Sequence, residues 1–208
     1  MPSRGYYEEL WRGVPDRLVP EHFELRLTFL LEALTPGMRV LDLGCGEGVF
    51  AAELARAGAE VLAADVAEEP LRRARAAHPG LETILIDGEG EWELPDASFD
   101  LVWAGEVIEH VADTSRWLSE LRRVLRSGGG LRLTTPLLGR AQLLAAAFSH
   151  RAFAARFDPR ADHLRHYDRA TLEALIASFG FEQLDVRPAA GPPGARRLLL
   201  ARAVRSRF

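Results

Sequence analysis

Two groups of residues in this chain have the types and spacing that chemistry needs. The first is Val40-Leu41-Asp42-Leu43-Gly44-Cys45-Gly46-Glu47-Gly48, an apolar run ending in glycines at alternate positions. Glycine lets a backbone approach a ligand. Residues 38–43 therefore read as a buried parallel strand, 44–48 as a ligand-binding turn, and Val49 to Arg56 as a helix whose amino end faces a cleft. Twenty-one residues after Gly44 the next apolar run, Ala59 to Ala64, ends in Asp65. An acid there can accept hydrogen bonds from both ribose hydroxyls of a nucleoside. The second group is Glu106-Val107-Ile108-Glu109-His110, just past a fourth apolar run. Strand ends of a parallel sheet open into the ligand crevice, so these carboxylates and this imidazole are placed to hold or move a proton there.

Two nucleoside cofactors fit an acid after a glycine turn, and the glycine spacing separates them. The dinucleotide fingerprint is G-x-G-x-x-G, whereas here Gly44-x-Gly46-x-Gly48 is followed by bulky Val49 and Phe50. The glycine that permits close helix-to-strand packing is displaced by one residue, which disfavours an NAD(P)-dependent oxidoreductase. With Asp42 two residues before the first glycine, the segment resembles the first motif of class I S-adenosylmethionine (SAM) dependent methyltransferases. The resemblance implies that Asp42, Gly44 and Gly46 belong to the cofactor site, with the glycines against the methionine moiety. It further implies that Asp65 holds the ribose, Val66 packs on the adenine, and Asp87 receives the adenine amino group with the Gly88 amide nearby. A turn-capping aspartate is the plainer reading of Asp87.

The Glu-His pair and the Leu125 to Gly130 approach to the fifth strand resemble small-molecule methyltransferases of the ubiquinone-biosynthesis type. That likeness implies His110 as a base toward an acceptor hydroxyl and Glu109 as the group orienting it. Glu106, Glu109 and His110 together also resemble the metal site of small-RNA 3′-terminal 2′-O-methyltransferases, which add a distant histidine. Asp162-His163-Leu164-Arg165-His166-Tyr167 supplies His163 as that ligand, and such a set suits a divalent ion such as Mg²⁺. Alternatively, His163 and His166 simply brace a lid. A SAM-binding regulator without catalysis is a third possibility of a different class.

Composition narrows the partners. The chain has 208 residues, 26 basic and 30 acidic, a net charge of -4. That balance gives no general pull toward nucleic acid or anionic membrane and favours a small-molecule acceptor over RNA. No window reaches the roughly 18 apolar residues of a membrane span and no signal-peptide core opens the chain, so stable membrane insertion is not expected and a cytoplasmic location is. The single cysteine, Cys45, reads as a small filler in the turn.

The elements that must position these groups alternate with little slack. Strands are expected at 38–43, 59–65, 81–86, 99–104, 131–135, 181–186 and 197–203, with helices at 21–34, 47–57, 68–77, 113–125 and 169–179. Asp113 and Asp168 read as helix caps, and Ser127-Gly128-Gly129-Gly130 as the lead into the fifth strand. The order resembles the α/β methyltransferase fold: a Rossmann-like seven-stranded sheet, helices on both faces, the last strand antiparallel. One domain over 1–208 is expected, with a helical cap at 1–34 and a lid facing the acceptor at 137–162. Five arginines or histidines mix with apolar residues in that lid: Arg140, His150, Arg151, Arg156 and Arg160. Tyr6, Tyr7 and Trp11 either close over the cofactor or pack the cap onto the body.

Overall fold

A computed structural model describes residues 4–88, 90–158 and 162–207. Seven strands form one sheet in the order β3-β2-β1-β4-β5-β7-β6. These are β1 (Arg39–Leu43), β2 (Glu60–Asp65), β3 (Glu82–Leu85), β4 (Phe99–Gly105), β5 (Leu125–Pro136), β6 (Phe181–Ala189) and β7 (Leu198–Arg205). β1 to β5 pair in parallel, while β7 runs antiparallel to both β5 and β6. Largely apolar runs such as Val40 to Leu43, interrupted only by Asp42, suit strands covered on both faces, and all four of those residues are buried.

Helices wrap both sides. The helices α5 (Thr114–Val124) and α8 (Arg169–Ser178) cover one face through Trp117, Leu118, Leu121, Leu172 and Ile176. The other face packs against α2 (Phe23–Leu31) and α3 (Val49–Arg56) through Phe29, Leu30, Phe50 and Leu54. The side chains of Asp113 and Asp168 accept bonds from the amides of Arg116 at 2.9 Å and Thr171 at 2.8 Å, so both expected caps are present. α4 (Glu68–Ala77) links β2 to β3.

Two strands are longer than their sequence patterns suggest. β5 starts at Leu125, six residues before the expected start, because Leu125 pairs with Phe99 before the register jumps to Gly130 against Leu101. Arg126 to Gly129 bulge out of the ladder, and Gly128 takes a positive φ of 77° there. β6 runs on through Arg187 and Pro188 to Ala189, since it is the sheet edge and Pro188 needs no amide on its open side. The 137–162 insert contains two short helices, α6 (Arg140–Phe148) and α7 (His150–Arg156); Arg160 lies outside the described residues. None of the described helices is long and apolar enough to cross a membrane.

The amino-terminal helix α1 (Arg4–Gly13) lies over the carboxyl ends of the strands, held by charge rather than by a buried face. Glu8 accepts from the amides of Glu68 at 2.6 Å and Glu69 at 3.0 Å, occupying the open amino end of α4. Arg73 on α4 ties the cap down. Its guanidinium donates to the carbonyls of Trp11 at 2.6 Å and Val14 at 2.9 Å, and to Glu47 Oε1 at 3.1 Å. Glu47 Oε2 in turn accepts from the Arg17 amide at 2.8 Å. Replacing Arg73 with Met should release residues 4–19 while leaving the sheet intact. Trypsin should then cut after Arg12 or Arg17 roughly tenfold faster with little change in melting temperature, as expected of local opening. Equal cleavage rates in the two proteins would show that the cap is held by something else.

Candidate cofactor-binding and active site

A mostly apolar cleft of about 290 Å³ opens at the carboxyl ends of β1, β2 and β4. Gly44, Asp65, Val66, Gly88, Glu106 and His110 all line it, drawn from four separate stretches of chain. The fold itself dictates this meeting, because parallel strands deliver their following loops to one edge of the sheet.

The turn after β1 has no room for side chains. Gly44 has φ 71°, and a Cβ there would stand 2.5 Å from Val107 Cγ2. At Gly46, φ is 54° and the Trp11 ring lies 3.0 Å from where a Cβ would be. Asp65 closes the turn from the neighbouring strand: one carboxylate oxygen accepts from the Gly46 amide at 3.0 Å, the other from the Ala67 amide at 3.1 Å. Burial raises the Asp65 pKa to about 6, an effect that these backbone N–H groups oppose.

Three acids named from the sequence, Asp42, Asp87 and Glu109, do not line the cleft, and neither does Gly46. Asp42 is buried behind the turn, where burial raises its pKa to about 7 against the opposing pull of the Ala51 amide at the start of α3. The Asp87 side chain lies against Gly90, where an added Cβ would come within 2.6 Å of its Oδ2, and its carbonyl accepts from the Trp92 indole at 3.1 Å.

At the other side of the cleft stands His110, in the 3₁₀ turn Ile108–His110. Its Nδ1 is 3.1 Å from the Asp162 carbonyl and 3.3 Å from an Asp162 carboxylate oxygen. Its Nε2 is 4.0 Å from Glu109 Oε1, and the His163 ring packs edge-on with centroids 4.8 Å apart. Glu109 is 1% exposed, with Oε2 accepting from Thr135 Oγ1 at 2.9 Å and Oε1 without a partner. Burial first, then the neighbouring Glu106 carboxylate, pushes its pKa to about 8.

Glu109, His110 and His163 bring one ligand atom each to within 4.8 Å of one another. Glu106 is outside that cluster. Its backbone sits at φ 60°, an uncommon conformation for a residue with a side chain, and its carboxylate is drawn toward Arg26.

Sequence reasoning missed Arg26. It is 4% exposed, stacked 4.8 Å from the Phe50 ring centroid and 5.6 Å from that of Trp103, and reaches the backbone at Gly105. Its charge acts on Glu106, Glu109 and Asp42. The available signal was its position in the stripe Phe23, Arg26, Leu27, Leu30, where a cation on the apolar face of a helix demands a buried partner. Trp92, Trp117 and Val111 also line the cleft and carried no motif, and Asp162, which opens the segment singled out for His163, lines it as well. Tyr7 and Trp11 line it too, so the cap aromatics pack the cap and close the cleft at once. Burial and Asp162 raise the Tyr7 phenol above its usual range.

A family model described as a methyltransferase domain matches residues 41–133, the stretch that holds the turn, Asp65 and the Glu-His pair. Residues 41–133 therefore carry a methyltransferase domain, and the chain is similar to class I SAM-dependent methyltransferases. Among its curated relatives, a probable SAM-dependent methyltransferase of Mycobacterium tuberculosis is 35% identical over 128 residues, covering 60% of this chain and 46% of that protein. A ubiquinone biosynthesis O-methyltransferase of a Ruegeria species is 37% identical over 155 residues, covering 72% and 62%. The chain thus spans about half to three-fifths of the length of these two relatives. A SAM-dependent methyltransferase crystal structure from Mesorhizobium loti superposes with TM-score 0.72 at 23% identity, covering 94% of this chain and all of that one. A phosphoethanolamine N-methyltransferase 2 from Haemonchus contortus, solved with SAM, gives TM-score 0.73 at 17% identity over 98% of this chain and 57% of that one. Both likenesses concern the fold.

The buried acids make a pH signature. Asp42 titrates near 7 when folded and at its ordinary 3.8 when unfolded, so between these values the folded chain keeps a proton that the unfolded chain has lost. Stability should fall as pH rises from about 4 to about 7, by up to about 1.4 kcal/mol per pH unit for this one group, and then level off. Asparagine at position 42 should flatten that fall in urea unfolding at pH 5 and pH 7.5. A variant that loses as much stability as the parent over this interval would contradict the assignment.

Proposed function

We propose that this methyltransferase moves the methyl group of SAM to a hydroxyl oxygen of a small organic acceptor, with the cap and the 137–162 insert working as parts of one domain. The reading rests mainly on one observation: a single apolar cleft has the glycine turn with Asp65 at one side and His110 at the other. SAM supplies an already activated methyl on a sulfonium, so the chain's task is alignment and proton removal.

The residues fit the cofactor. Gly44 and Gly46 leave backbone bare where an amino-acid tail would lie. Asp65 is anchored by two amides, and its remaining lone pairs can accept from ribose hydroxyls. Val66 and Gly88 supply an apolar, shallow wall for a flat base. Arg26 and Glu106, both buried and each with an unpartnered polar atom, offer opposite charges to a zwitterionic tail.

His110 is set up as the base. An Nδ1–H donated to the Asp162 carbonyl leaves the Nε2 lone pair to accept the acceptor's hydroxyl proton. Glu109, 4.0 Å from Nε2 and fixed by Thr135, stands beside the ring and in its ionised form favours the imidazolium once it forms. Tyr7 and Trp11 exclude water from above. The names of the ubiquinone biosynthesis relatives support oxygen as the acceptor atom.

Calorimetric titration should show SAM binding, with Asp65→Ala weakening it at least roughly tenfold, the loss of charged hydrogen bonds. His110→Ala should keep SAM affinity and lower turnover on a panel of phenols by about 10²-fold or more. Absence of SAM binding, or wild-type turnover in His110→Ala, would overturn the respective assignments.

A metal-assisted variant is favoured by the convergence of Glu109, His110 and His163. An ion held by these three would lower the acceptor hydroxyl's pKa beside the base. Mn²⁺ titration followed by paramagnetic resonance should report one bound ion that is lost in His163→Ala. No binding, or binding indifferent to that substitution, leaves His163 with a bracing role.

A further inference from the structure

Ten large hydrophobic side chains are exposed among the described residues, and nine of them fall in two segments, 6–19 and 143–164. These are the cap and the lid, the segments flanking the cleft. α6 buries little of itself: Ala146 is its one buried residue, and Ala141, Gln142 and Ala145 share a shallow cleft with the hairpin turn at Gly194 to Arg197. Leu143, Leu144 and Phe148 point outward at 43%, 61% and 88% exposure. Phe153 on α7 follows at 51%, and on the cap Leu18 and Val19 are 52% and 70% exposed. An ordinary surface helix buries such side chains and exposes polar ones, so a face of this kind is an interaction surface.

Charge identifies what meets it. From Leu137 to Phe157 the chain has no aspartate or glutamate but contains Arg140, His150, Arg151 and Arg156, within a protein of net charge -4. Large apolar side chains between arginines suit the boundary of an anionic bilayer, where the hydrocarbon receives the former and lipid phosphates the latter. A second copy of this chain fits less well, because a two-fold interface would set the same arginines against each other. We infer that the α6–α7 lid docks on an anionic membrane surface. The docking itself does not depend on the methyl-transfer reading. It would, together with that reading, select acceptors that reside at the bilayer surface.

Vesicle flotation with the full chain tests this, using phosphatidylcholine alone and phosphatidylcholine mixed with phosphatidylglycerol. The protein should float with the mixed vesicles, and Leu144→Ser/Phe148→Ser should lower its partitioning by roughly tenfold or more. Arg140→Gln/Arg151→Gln should remove the preference for the anionic vesicles. Both positions pairs are exposed, and an unchanged thermal melt would confirm that each variant folds. SAM titration of the same samples reads the cofactor assignment separately. Failure to float with mixed vesicles at millimolar lipid would overturn the inference. So would undiminished partitioning of the serine variant, or light scattering showing a dimer that the serine variant breaks without any vesicle binding.

Discussion

Four carboxylates, those of Asp42, Asp65, Glu106 and Glu109, are buried at the carboxyl edge of the sheet or partly so, and Arg26 is the cation buried among them. Desolvation raises the pKa of every one of these acids. Such an arrangement opposes folding, since an acid buried without full compensation costs several kcal/mol in a typical protein. The large apolar core on both sides of the sheet offsets that cost. The strained backbone at Glu106 has the same character. Both features make sense at the place where a charged ligand would replace lost hydration with specific partners.

The cap is the complement of this edge. It contributes no buried residue of its own in α1, yet it lays Tyr7 and Trp11 over the cleft and is held by Arg73, Glu47 and Glu8. Ion pairs and charged hydrogen bonds of this kind are less cooperative with the core than packed apolar faces are. The body can therefore stay folded while the cap opens, which a site sealed by aromatic rings requires for exchange of a bulky nucleoside. The lid differs again: it leaves large apolar side chains such as Leu144 and Phe148 exposed.

Much of the sheet was legible because its signals are local. Apolar runs bounded by Gly44, Asp65 or Pro136 mark strand ends, and Asp113 and Asp168 mark helix starts, since each acts within a few residues of itself. What misled were features set by pairing across the sheet. The Ser127 to Gly129 stretch looks like a loop and belongs to a bulge inside β5 because Phe99 pairs with Leu125. The strand expected to end at 186 runs on through Pro188, which is tolerated because β6 is at the edge.

By itself the sequence determined the fold class, the turn at Gly44 to Gly48, and the acid one strand away, because backbone sterics and hydrophobic period are written in neighbouring residues. Only the tertiary structure decided which side chains share the cleft. It set Asp42 and Asp87 outside the lining, brought His163 and Asp162 across some fifty residues to His110, and put the Arg26 charge within reach of Glu106. Those meetings depend on how loops at the ends of separate strands pack together, a distance in space that no spacing along the chain encodes.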